Sequence, residues 1–187
     1  MKKLTYLLLV FGIIFIGYMV FYLNDYRIKD NREDIQSSLE IWISSGNTKG
    51  IEPDVLDFLR IGDTKSYLVL FQTGSNKIGY AHYKKGWNGR LKIENVGYGT
   101  NIVKYQKVKT NKGIYGILVG KNPELKIEKI KVKLFSSEFN FKVDVSTDEV
   151  FVKYSQLPKS VNQPFPANLV FYDKNSNVIE LTELFNN

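Results

Sequence analysis

The chain contains no cysteine. Disulfide staples, thiolate metal ligands, thiol catalysis and a lipid-modified cysteine anchor are excluded together, so the fold must hold by packing alone. Histidine occurs once, at His82. A structural zinc site is not built from one histidine and no cysteine. Of the five prolines, three fall in "LPKSVNQPFP" (157–166), which makes that stretch a loop rather than a central strand. There is no phosphate-binding glycine loop, no paired-histidine zinc motif and no nucleophile-elbow serine. Charge is missing entirely from residues 4–23, "LTYLLLVFGIIFIGYMVFYL".

That uncharged run is the first positive signal. A helix of its length spans about 30 Å, the hydrocarbon thickness of a bilayer. Tyr6 sits near one end and Tyr18 and Tyr22 towards the other, where a ring keeps its hydroxyl wet. Lys2 and Lys3 precede the run, so the expected topology is a cytoplasmic tail (1–3), a single-pass transmembrane helix (4–23) and an extracytoplasmic remainder. The run is longer than the usual apolar core of a signal peptide, and "FYLND" (21–25) offers no small-residue cleavage site, so an uncleaved cell-membrane anchor is expected. Gly12 and Gly17 are five apart, so the helix lacks the small-residue spacing that dimerises membrane spans.

The rest of the chain is aromatic and basic. Phe, Trp and Tyr make up 14% of the sequence, which favours strands and supplies a core. The net charge is +7, but lysines and carboxylates are interspersed, which describes a solvated surface and gives no nucleic-acid patch.

The predicted class is mainly β with some helix. The juxtamembrane segment (24–50) carries Ile35, Leu39, Trp42 and Ile43 at helical spacing, which predicts a helix over 31–45 capped by Asp30 with Glu33 and stopped at Gly46. Residues 53–61 fit either a short helix begun by Pro53, with Asp54 and Asp57 in its first turns, or a strand from about Leu56. Strands follow at 66–72, 77–83, 90–96, 102–108 and 114–120, joined by turns such as Asn88-Gly89. They predict an antiparallel meander domain over 51–123. Alternating segments at 139–145, 150–154, 168–173 and 178–181 predict a small sandwich-like domain over 124–187.

"VGYG" (96–99) has the letters of a potassium-channel filter, but one span and polar alternating flanks exclude that use, and Gly97 and Gly99 are expected at a junction of strands. "DKNSN" (173–177) opens like a calcium loop, yet Val178 and Leu184 stand where glycine and glutamate are needed, so a hairpin turn is expected. His82 lies on a strand without an evident catalytic partner. The candidate ligand-binding residues are therefore Trp87, Lys84, Lys85 and Arg90 in the loop "KKGWNGR", an aromatic flanked by cations suited to an anionic or sugar-containing wall polymer, with Tyr80, Tyr83 and Tyr98 as possible extensions.

The run "KKGWNGRLKIENVGYGTN", followed by "TNKGIYGILVGKNPELKIEKIKV", resembles segments of small single-pass membrane-anchored proteins of Bacillus-type bacteria, a group to which no activity is assigned. The resemblance covers about 66–135 and, more loosely, "FYDKNSNVIEL". It implies location and architecture and carries over no catalytic residues. Together these readings predict a non-catalytic interaction or structural component of the cell envelope, without cofactor or metal. A wall-polymer binding module is the alternative, and an envelope hydrolase the outsider.

Overall fold

The computed structural model describes residues 2–45, 52–74, 76–100, 102–135, 137–180 and 183–184. The first helix, α1 (Lys2–Asp25), contains one stretch, Lys3–Asp25, long and apolar enough to cross a membrane, and none of that stretch is buried by the rest of the chain. The second, α2 (Arg32–Ser45), starts one residue later than the capping pattern suggested. Asn31, rather than Asp30, is the cap. Its Oδ1 accepts the Asp34 N–H at 2.8 Å, while its Nδ2 donates back to the Asp34 carboxylate at 3.1 Å. The expected stop at Gly46 lies outside the described residues.

Among the described residues eleven strands follow, all paired antiparallel. β1 (Pro53–Arg60), β2 (Ser66–Thr73), β3 (Ile78–Lys85) and β4 (Leu91–Thr100) form one sheet in chain order. The ambiguity at 53–61 resolves as a strand. Pro53 opens it at the sheet's edge, where a missing N–H costs no ladder bond. β5 (Val103–Thr110) and β6 (Gly113–Lys121) leave that sheet and pair with β9 (Val150–Gln156). β7 (Lys129–Leu134), β8 (Asn140–Asp144), β10 (Ala167–Tyr172) and β11 (Val178–Ile179) form the third sheet, in the order β11-β10-β7-β8.

Alternation along β5, β6 and β9 explains the layering. Val108, Ile117, Val119 and Val152 pack with Leu68, Leu70, Ile78 and Tyr80 of the first sheet. Their opposite-parity neighbours Tyr105, Leu118 and Phe151 pack with Ile130, Val132, Phe141 and Phe171 of the third. The short central sheet is therefore covered on both faces, which is why β6 reads "IYGILVG" without polar interruption. The free face of the first sheet is covered by α2, whose Ile35, Leu39 and Ile43 meet Val69, Phe71, Ala81, Tyr83 and Leu91. The order of layers is α2, first sheet, central sheet, third sheet.

Two expectations change in this light. The meander ends at β4, and β6 pairs with β9 across the boundary expected at 123/124. That junction is also tied by Asn122, which is fully buried. Its amide donates to the Ile127 and Val145 carbonyls at 2.7 and 2.8 Å and accepts the Ile127 N–H at 2.7 Å. "VGYG" lies inside β4, opposite β3. Gly97 pairs with Tyr80, and a Cβ there would come within 2.6 Å of the Tyr80 ring, so glycine lets that ring lie flat across the strand. Positive φ is expected at both glycines, but only Gly99 has it, at +90°; Gly97 is ordinary strand backbone.

Candidate functional site

The densest set of long-range polar and aromatic contacts lies where α1 meets the β3–β4 loop. The chain leaves α1 and within three residues joins the first sheet: Ile28 and Leu91 exchange backbone hydrogen bonds of 3.1 and 2.7 Å. Around this bridge, the loop predicted to carry ligand-binding residues folds onto the end of α1. The Trp87 ring stacks on Tyr22, with centroids 5.0 Å apart, and Tyr22 stacks in turn on Tyr26 at 4.5 Å. The Trp87 N–H donates to the Tyr22 hydroxyl at 2.8 Å. Gly86 makes room for this, because a Cβ there would sit 2.4 Å from the same hydroxyl.

The cations of the loop divide between the junction and solvent. Lys85 pairs with Asp30 at 2.6 Å, and that hydrogen bond holds its pKa above the ordinary ammonium value. The Arg90 guanidinium donates to the Arg27 carbonyl at 2.9 Å, and Asn88 donates to the Tyr26 carbonyl at 3.0 Å. Lys92, the second residue of β4, meets Asp25 at 3.0 Å and lies over the Tyr26 ring. Burial works against its charge, but the hydrogen bonds of Asp25 and Glu94 outweigh burial and raise its pKa. Lys84 is exposed, and Trp87 keeps 60% of its surface. Of the four predicted residues, Trp87, Lys85 and Arg90 thus converge on the α1 junction, while Lys84 points elsewhere on the surface. Tyr80 and Tyr83 are buried and extend no binding surface. The side chain of Tyr98 lies outside what is described.

On the neighbouring flank of α1 there is a groove of about 590 Å³. Phe21, Asn24 and Asp25 of α1 form one wall, Ser37, Ile41 and Trp42 of α2 the other, with Lys92 and Ile93 at its base. The sequence pattern placed Trp42 on the packed stripe of α2. It instead lines this groove and is 45% exposed, because Ile35, Leu39 and Ile43 already fill the sheet-facing side.

The remaining candidates resolve as structural features. His82 is buried between sheets, burial depresses its pKa to about 4, and its Nε2 has no hydrogen-bond partner among the described residues. It pairs across the sheet with Leu68 and Asn95, and Glu94 and Lys84 are close enough to act on its charge. Asp54 and Asp57 are exposed on strand β1, and Asp57 accepts its neighbour Phe58's N–H. Asp173 closes the turn between β10 and β11 by accepting from the Asn175 and Asn177 N–H groups at 2.9 and 2.7 Å. Among the described residues no group of three or more histidines and carboxylates is placed to hold a metal ion.

The signal that sequence reading passed over was Tyr22 itself. It was read as an interfacial residue of the apolar run, and nothing local ties it to a tryptophan 65 positions later. No protein-family model matches the chain, and neither a curated protein nor a solved structure similar to it is found.

Proposed function

We propose that this chain is a single-pass cell-membrane protein with its N-terminus in the cytoplasm. Its β body lies outside, as a non-catalytic interaction or structural component of the cell envelope. The observation that carries this reading is the docking of the Trp87 loop on Tyr22 and Tyr26. A removable leader has no reason to be packed into the body it leaves. Here the last turn of the apolar helix is part of the body's own contact network, as an uncleaved anchor requires.

The surface for a protein partner is best placed at the far end, where Phe135 and Phe165 are 73% and 52% exposed in neighbouring loops, joined by the Phe135 N–H to the Pro166 carbonyl. A wall polymer is the second reading, favoured by the exposed Lys84 and the outer face of Trp87.

Because the chain has no cysteine, single introduced cysteines report topology without background. An impermeant maleimide applied to intact cells should label Lys174→Cys and leave Lys2→Cys unlabelled until lysis. The reverse pattern, or loss of the N-terminus from the mature protein, would overturn the placement. A photo-crosslinker at Phe165 should give one discrete protein adduct. Salt-sensitive pelleting with cell-wall sacculi that is lost in Trp87→Ala would favour the polymer instead.

A further inference from the structure

We infer that the two tryptophans of this chain seat the β body on the headgroup region of the membrane, one on each of two adjacent flanks of α1. This rests on the membrane placement proposed above. The argument is one of depth. If residues 4–23 fill the hydrocarbon, Tyr22 lies at its outer boundary, the level at which tyrosine and tryptophan rings are most favourably placed. Trp87 is bound to Tyr22 by ring stacking at 5.0 Å and by its own N–H, so it shares that level. It is nonetheless 60% exposed.

The second flank is the groove between α1 and α2. Phe21, next to Tyr22 and within the apolar run, lines it with Ile41 and Trp42, which are 60% and 45% exposed. The apolar surface of α1 therefore continues onto the body at these two places. A lipid surface is the occupant that fits both, because the same bilayer that surrounds Phe21 reaches them.

Charge agrees with that occupant. Around the end of α1, Arg27, Lys29, Lys85, Arg90 and Lys92 stand against Asp25, Asp30 and Glu94. Arg27, Lys29 and Arg90 are exposed there. Cations ringing a membrane span at headgroup height favour phosphate groups of anionic lipids. A wall polymer would have to reach Trp87 at the bilayer surface itself, where lipid phosphates are already the nearest anions.

The presence of only two tryptophans makes the test direct. The full chain is reconstituted in phosphatidylglycerol vesicles doped with phosphatidylcholine brominated either near the carbonyl end or near the middle of its acyl chains. Trp42→Phe reports Trp87 alone, and Trp87→Phe reports Trp42 alone. Flotation with the vesicles, resistant to alkaline carbonate, establishes insertion. The expected result is insertion together with loss of emission from each tryptophan, greater with the shallow bromines than with the deep ones, and a shift of each spectrum to shorter wavelength than that of a water-exposed indole. Insertion with either tryptophan unquenched and emitting as in water would overturn the two-sided seat while leaving the anchor standing. Failure to float would overturn both.

Discussion

The joint between α1 and the β body differs in kind from the joints between the sheets. Around α1 the contacts are stacked rings, ion pairs and single hydrogen bonds: Trp87 on Tyr22, Lys85 with Asp30, Arg90 with the Arg27 carbonyl. Between the sheets there are two continuous apolar clusters that share the central sheet. The first kind of joint specifies geometry and adds little free energy, since half-exposed ion pairs are worth about 0–1 kcal/mol. The second kind supplies stability, at roughly 25 cal/mol per Å² of apolar surface removed from water. The chain thus uses polar contacts to fix the body's attitude to α1 and apolar contacts to keep the body folded.

The contrast can be tested from its stronger side first. Leu118 is fully buried in the central sheet. Leu118→Ala should lower stability by about 2–5 kcal/mol, through lost transfer energy and the cavity left behind. Chemical denaturation of the detergent-solubilised chain, followed by far-UV circular dichroism, measures this. A loss below the range would mean that the central sheet is not the main source of stability.

The next effect is one of pH. His82 has a folded pKa near 4 against an ordinary value of 6.5. Burial opposes protonation in the fold, with Lys84 acting in the same direction and Glu94 against it. As pH falls below about 6.5 the unfolded chain takes up a proton that the folded chain refuses. Stability therefore declines from there to about pH 4, by up to about 3 kcal/mol, and is unaffected by this group above that window. Replacing His82 with leucine should flatten the decline. An unchanged profile in that variant would assign the acid sensitivity to other groups.

The smallest effect belongs to the α1 joint. Asp30→Asn removes the ion pair with Lys85, whose two side chains are each about one-third exposed. It should cost under about 1 kcal/mol in denaturation. It should, however, broaden the distance distribution between spin labels at Lys3 and Lys174. A large stability loss, or an unaltered distribution, would erase the distinction between the two kinds of joint.

Legibility in the sequence follows the range of the interactions. The helix over 31–45 and the strands from 66 to 120 were readable because period and turn chemistry are local: the alternation of "KIGYAHY" and the turn at Asn88-Gly89 need no partner to be recognised. The strand at 53–60 was ambiguous because Pro53 serves equally well to open a helix or an edge strand, and only pairing with β2 decides between them. Assignment of strands to sheets was not readable. Ile117 and Leu118 look alike in sequence, yet they face different cores, and β6 finds β9 only after two strands of the third sheet have intervened. The site was legible in part. Trp87 and its cations stood out as a loop of unusual character, but as a ligand-binding surface. Its receiver, Tyr22, lies in a segment whose apolarity already had a sufficient explanation.

The exchange of backbone hydrogen bonds between Ile28 and Leu91 has a mechanical consequence. A tethered domain ordinarily samples a hemisphere whose radius is set by its linker. Here the linker is consumed as it leaves α1, so on the proposed placement the body has almost no leash. It would travel with its anchor as a single lever, leaning when α1 leans. Whatever it meets must come to it within its own height of the bilayer, presented at a nearly constant angle.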